Sequence, residues 1–61
     1  MNIDFEKLRN DLINYFGTAY ISGFSMALIE TSEVQTATND KLIEIAIKNN
    51  FNLNDYTILI R

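Results

Sequence analysis

The side chains in this 61-residue sequence that could do chemistry are carboxylates: Asp4, Glu6, Asp11, Glu30, Glu33, Asp40, Glu44 and Asp55. Paired acids serve as general acid and base when their surroundings separate their pKa values, and hard cations take carboxylate oxygens. Asp40 and Glu44 stand one helical turn apart and so share a face. Lys41 and Lys48 flank it, and Glu44 before Lys48 has the favourable i,i+4 order for a surface ion pair. The expectation is a solvated helix face. Glu30, Glu33 and Asp40 offer too few oxygens in a fixed loop to hold a cation. The sequence has no histidine and no cysteine, which removes the imidazole base, the commonest zinc ligand, the thiolate metal site and the disulfide. No glycine-rich phosphate loop is present. The chain is therefore read as a non-enzyme that uses no cofactor and no metal.

Charge narrows the partners. The net charge is −3, with five basic against eight acidic side chains, whereas neutralising phosphates needs clustered Lys and Arg. Lys7 and Arg9 alone lie close together. A helix-turn-helix reader would have to use the third helix, whose polar arc holds Asp40, Lys41, Glu44 and Lys48, and acids facing phosphate repel it. The acidity is also too evenly spread for a decoy of DNA. Nucleic acid is not the expected partner. Asn, Ile, Lys, Phe and Tyr account for 27 of the 61 residues, and all five have A/T-rich codons, which points to an AT-rich genome such as a low-GC bacterium or one of its mobile elements.

From Leu12 to Ile29 no residue is charged, a run as long as a minimal bilayer span. Asn14, Gly17, Thr18, Ser22, Gly23 and Ser25 interrupt it, and its tyrosines lie inside the run, away from the ends where interfacial aromatics belong. A membrane-associated peptide built on residues 12–29 is the alternative reading. Asp4, Glu6 and Asp11 are mixed with Lys7 and Arg9, unlike the basic start of a secretory signal, so the expected location is the cytoplasm.

These side chains must be positioned by helices, in one small domain over residues 1–61. Phe5, Leu8, Leu12, Tyr15, Phe16 and Ala19 fall at 3,4 spacing on one helical face. The first helix should begin near residue 3 or 4, with Asn2 or Asp4 accepting from its free amides. It should stop at Gly23-Phe24, where a left-handed glycine is followed by an apolar clamp, although Gly17-Thr18 offers a weaker stop. Ser25 should cap a short second helix that frays near Val34. A single helix from Thr18 to Glu33, aligning Ala19, Gly23 and Ala27, is the less favoured arrangement. Residues 35–40 read as a loop, with Thr38 or Asn39 capping a third helix to about Asn49. Asn50, the non-glycine residue best suited to a left-handed backbone, should end that helix, with Phe51 as its clamp. Leu53 and Tyr56 then sit three apart in one further turn that closes the core, ahead of an apolar, β-prone tail, Thr57 to Arg61.

The segment from Leu42 to Tyr56, preceded by Gly23-Phe24-Ser25-Met26-Ala27, resembles the pattern of small uncharacterised helical proteins of low-GC bacteria and their mobile elements. Its latter half is similar to the helix ending of modification-leader peptides of the nitrogen-fixation type. There an apolar helix stops at a glycine before an aromatic; here Asn50 stands in that place, and the N-terminal half does not match. The resemblance covers about a quarter of the chain and carries no catalytic residue across.

The fold expected is all-α, a three-helix domain with a C-terminal turn and an apolar tail. Its expected role is a non-catalytic protein-interaction or regulatory module, with a second copy of itself or another protein as partner. The ground for this is the width of the third helix's apolar arc. With Leu42 at 0° and about 100° per residue, Ala46 falls near 40°, Ile43 near 100°, Ile47 near 140° and Ile45 near 300°. Leu42, Ile45 and Ala46 should face the other helices, leaving Ile43 and Ile47 either under the Ile58-Leu59-Ile60 tail or on an interface. Ile43, Ile47, Ile58 and Ile60 are the expected interaction residues, and a symmetric dimer is the simplest arrangement.

Overall fold

The computed structural model describes residues 2–24 and 26–58. Three α-helices follow one another: α1 over Phe5–Ile21, α2 over Ala27–Thr36 and α3 over Asn39–Lys48. A 3₁₀ turn at Leu53–Tyr56 follows. Two-residue strands, β1 at Asn2–Ile3 and β2 at Thr57–Ile58, then pair antiparallel, with Asn2 opposite Ile58 and Ile3 opposite Thr57.

Local chemistry sets most of these boundaries. Asp4 caps α1, its Oδ1 accepting from the Lys7 amide at 3.1 Å, and Glu6 places a second carboxylate at the positive end of the helix dipole. Thr38 caps α3 in the same way through Lys41 N–H. Asn52 caps the 3₁₀ turn through Asn54 N–H.

Both expected helix stops are left-handed. Gly23 has φ +109° and Asn50 φ +63°. At the end of α1, Gly23 N–H donates to Tyr20 C=O and Phe24 N–H to Ala19 C=O; at the end of α3, Asn50 N–H donates to Ile47 C=O and Phe51 N–H to Ala46 C=O. These are two copies of the Schellman pattern, in which orphan carbonyls of the last turn are satisfied. The break at Gly23 removes the continuous Thr18–Glu33 helix.

The second helix departs from expectation at both ends. It begins at Ala27, with Met26 in the cap position and no side-chain cap bond. The expected cap, Ser25, lies outside the described residues. It continues two residues past Val34, because Val34 is fully buried and anchors the last turn. The loop expected over residues 35–40 shrinks to Ala37 and Thr38, and Arg9 holds this short connection. Its guanidinium donates to Gln35 C=O at 3.0 Å and Ala37 C=O at 2.8 Å, supplying partners to carbonyls that the end of α2 leaves free.

The core is made of Leu8, Leu12 and Phe16 from α1, Ala27 and Val34 from α2, Leu42, Ile45 and Ala46 from α3, and Tyr56. The α1 residues follow the 3,4 stripe that the sequence displays. Leu42, Ile45 and Ala46 are the residues of α3 expected to face inward, and they do. Phe51 and Leu53 pack half-buried against this cluster, so Phe51 is the clamp expected of it. Phe24 is not: it is 67% exposed. Its backbone completes the helix stop while its ring lies outside the core.

Candidate functional site

Among the described residues, no three His, Cys, Asp or Glu side chains come together as a metal-ligand group, so Glu30, Glu33 and Asp40 do not converge. The ion pair on α3 is Lys41 Nζ to Glu44 Oε1 at 3.6 Å, one turn earlier than the expected Glu44–Lys48 pair. Both partners are largely exposed, so the pair contributes little to stability.

Tyr56 is 7% exposed and donates its hydroxyl to Asp11 Oδ2 at 2.6 Å. Burial, that hydrogen bond and the charges of Asp11 and Asp55 push its pKa up to about 12. Lys7 Nζ lies 5.4 Å from the centre of the same ring. Phe51 stacks on Tyr56 at 6.5 Å and meets Tyr15 edge-on at 5.4 Å. These contacts tie the segment after α3 to α1.

The unusual surface is apolar. Nine large apolar side chains are exposed among the described residues, as many as the core contains, and six of them lie between Tyr20 and Ile29. Scattered apolar side chains on a surface are ordinary; a concentration in one corner of a small domain is not. On one side of the corner, Phe24 and Met26 form the rim of a groove of about 260 Å³, floored by Phe16, Ala19 and Ala27 and walled by Tyr15. Met26, Glu30 and Asn49 continue it into a second, more polar hollow between α2 and α3, bordered by Ile29, Glu33, Lys41 and Lys48. On the other side, Ile21, 86% exposed, edges a shallow hollow with Ile13, Gly17 and Thr31.

The described residues among those expected to interact, Ile43, Ile47 and Ile58, are not part of this corner. Ile47 is 60% exposed, Ile43 is half-buried and Ile58 is exposed on β2. The described part of the tail turns to pair with Asn2–Ile3, and Ile47 keeps its exposure. Ile60 lies outside the described residues. None of the three described residues, Ile43, Ile47 and Ile58, borders the grooves at the corner. The corner itself was legible only as an uncharged run. The sequence places Phe24 in the interior, because an apolar residue after a left-handed glycine packs inward in the usual version of that stop.

In comparisons with known proteins, no protein family, curated protein or solved structure matches this chain. No helix among the described residues is long and apolar enough to cross a membrane.

Proposed function

We propose that this chain is a small, non-catalytic interaction or regulatory module of the cytoplasm that works by docking another protein surface on its apolar corner. The observation that carries the reading is the exposure of Phe24 and Met26, 67% and 66%, beside a groove lined by Tyr15, Phe16, Ala19 and Ala27. Interface centres are apolar and aromatic, with polar groups kept to the rim, and this surface has that composition. The low count of basic side chains weighs against nucleic acid as the partner. The resemblance to small helical proteins of low-GC bacteria and their mobile elements is part of this proposal and fits its size and composition. Ile43 and Ile47 on α3 are a second, smaller apolar flank.

Affinity capture from extracts of the source cell tests the reading. Wild type and an Ile47→Lys variant should retain the same binding protein, and a Phe24→Ser, Met26→Ser variant with unchanged helical circular dichroism should lose it. Retention by the corner variant would remove the corner from the reading. Loss with Ile47→Lys would move the site to the α3 flank.

A further inference from the structure

Resting on that reading, we infer that the groove beside Phe24 and Met26 is a self-association surface, and that its occupant is a second copy of this chain related by a two-fold axis. Four large apolar side chains, Tyr15, Phe24, Met26 and Ile29, border the joined grooves and are each about half to two-thirds exposed. Side chains of that size present on the order of 500 Å² in each copy, or about 1,000 Å² across a two-fold contact, which is the lower bound for a specific interface.

The charges beside the groove say what kind of partner fits. No residue from Leu12 to Ile29 is charged, so Glu30, where the two grooves join, is the one charged side chain lining the apolar groove. The rim carries both signs. Glu30 and Glu33 line the polar hollow from α2, and Lys41, Glu44 and Lys48 line it from α3, where the Lys41–Glu44 pair leaves Lys48 as the net charge of that wall. In a two-fold contact each patch meets itself, so a rim with acids on one wall and a base on the other is complementary to its own copy: Glu30 and Glu33 of each chain face Lys48 of the other. A bilayer would cover the apolar corner equally well, but it has no use for the alternating rim, and an anionic surface would repel the glutamates. Phe24 and Met26 stand beside a groove floored by small and aromatic side chains, which gives each copy both a protrusion and a recess.

Sedimentation of the intact chain at moderate salt, from about 10 to 500 µM, should show the average mass rising from monomer toward dimer, since contacts at the low end of interface size include the weak and transient ones. Phe24→Ser with Met26→Ser should stay monomeric across it with helical circular dichroism unchanged. Glu30→Lys with Glu33→Lys should weaken association at least tenfold, and adding Lys48→Glu should restore it. A wild type monomeric throughout would overturn self-association. If the corner variant then fails to capture a partner that wild type captures, the docking reading survives alone; if wild type captures nothing, both fall. A dimer that survives the corner substitutions but is lost with Ile43→Lys, Ile47→Lys would place the contact on α3 and overturn this surface. Monomers that sediment with phosphatidylcholine vesicles through Phe24 and Met26 would replace the second copy with a bilayer.

Discussion

Tyr56 shows how one buried polar atom makes stability depend on pH. Its hydroxyl is satisfied only by Asp11, at 2.6 Å, and its pKa is raised from 10.0 to about 12 because the folded state favours the neutral phenol. A group whose folded pKa is raised contributes stability that is complete below its unfolded pKa and disappears as pH climbs toward the folded one. Denaturant midpoints should therefore show no loss from this group up to pH 10, then a fall between pH 10 and 12. Tyr56→Phe should flatten that fall, and at neutral pH it should destabilise by about 1 kcal/mol, since Asp11 can turn to water. Arg9 is another side chain whose polar contacts span the fold. Replacing it with Met keeps the apolar stem but leaves Gln35 and Ala37 carbonyls without their donor. A loss of about 1.5–3 kcal/mol is expected, read as a lowered thermal midpoint, because hydrogen bonds from a charged donor are the stronger kind.

At the level of the elements, the two glycines should respond to the same substitution with opposite sign. Gly17 lies inside α1 with nothing within 4 Å of where a Cβ would stand, so Gly17→Ala should stabilise by up to about 1 kcal/mol through helix propensity. Gly23 is equally open in space but has φ +109°. Gly23→Ala should destabilise by about 1–2 kcal/mol, because an L side chain is strained there. Asn50→Gly, at φ +63°, should be neutral or slightly stabilising. Thermal melts of the three variants check all of this. The stops and caps of α1 and α3 were readable because each is decided within a few residues: Asp4, Gly23, Thr38 and Asn50 act on their own turns. Helix α2 was not, for a physical reason. Its apolar residues do not form one face; Leu28 and Ile29 are exposed while Ala27 and Val34 are buried, so periodicity could not place its ends. Arg9 reaching across 26 and 28 residues, and Asn2–Ile3 pairing with Thr57–Ile58, join parts of the chain that no local pattern connects. The apolar corner escaped recognition for the same reason, since only the packed fold decides whether Phe24 turns in or out.

On the scale of the whole molecule, nine core side chains hold together a body of 43 × 19 × 16 Å. A chain of about 60 residues buries only about 60% of its unfolded surface, and its stability is correspondingly small. Circular dichroism should be dominated by helix. On the proposed self-association, burial of the corner adds to so small a core, and the thermal midpoint should rise with protein concentration, as mass action requires when only the folded state associates. A midpoint constant over a fiftyfold range of concentration would mean that the corner is left open in the folded chain.

The pairing of Asn2 with Ile58 and of Ile3 with Thr57 also decides how the molecule bears load. Because the strands are antiparallel, their hydrogen bonds lie across the strand direction, and a force drawing residues 2 and 58 apart acts along those bonds rather than across them. The pairs open one after another, like a zip, and never share the force. Next to yield is the Asp4 N–H bond to Tyr56 C=O, at 2.7 Å, which closes the same seam. With handles at positions 2 and 58 in an optical trap, the chain should therefore open from its ends, in small steps and at low force.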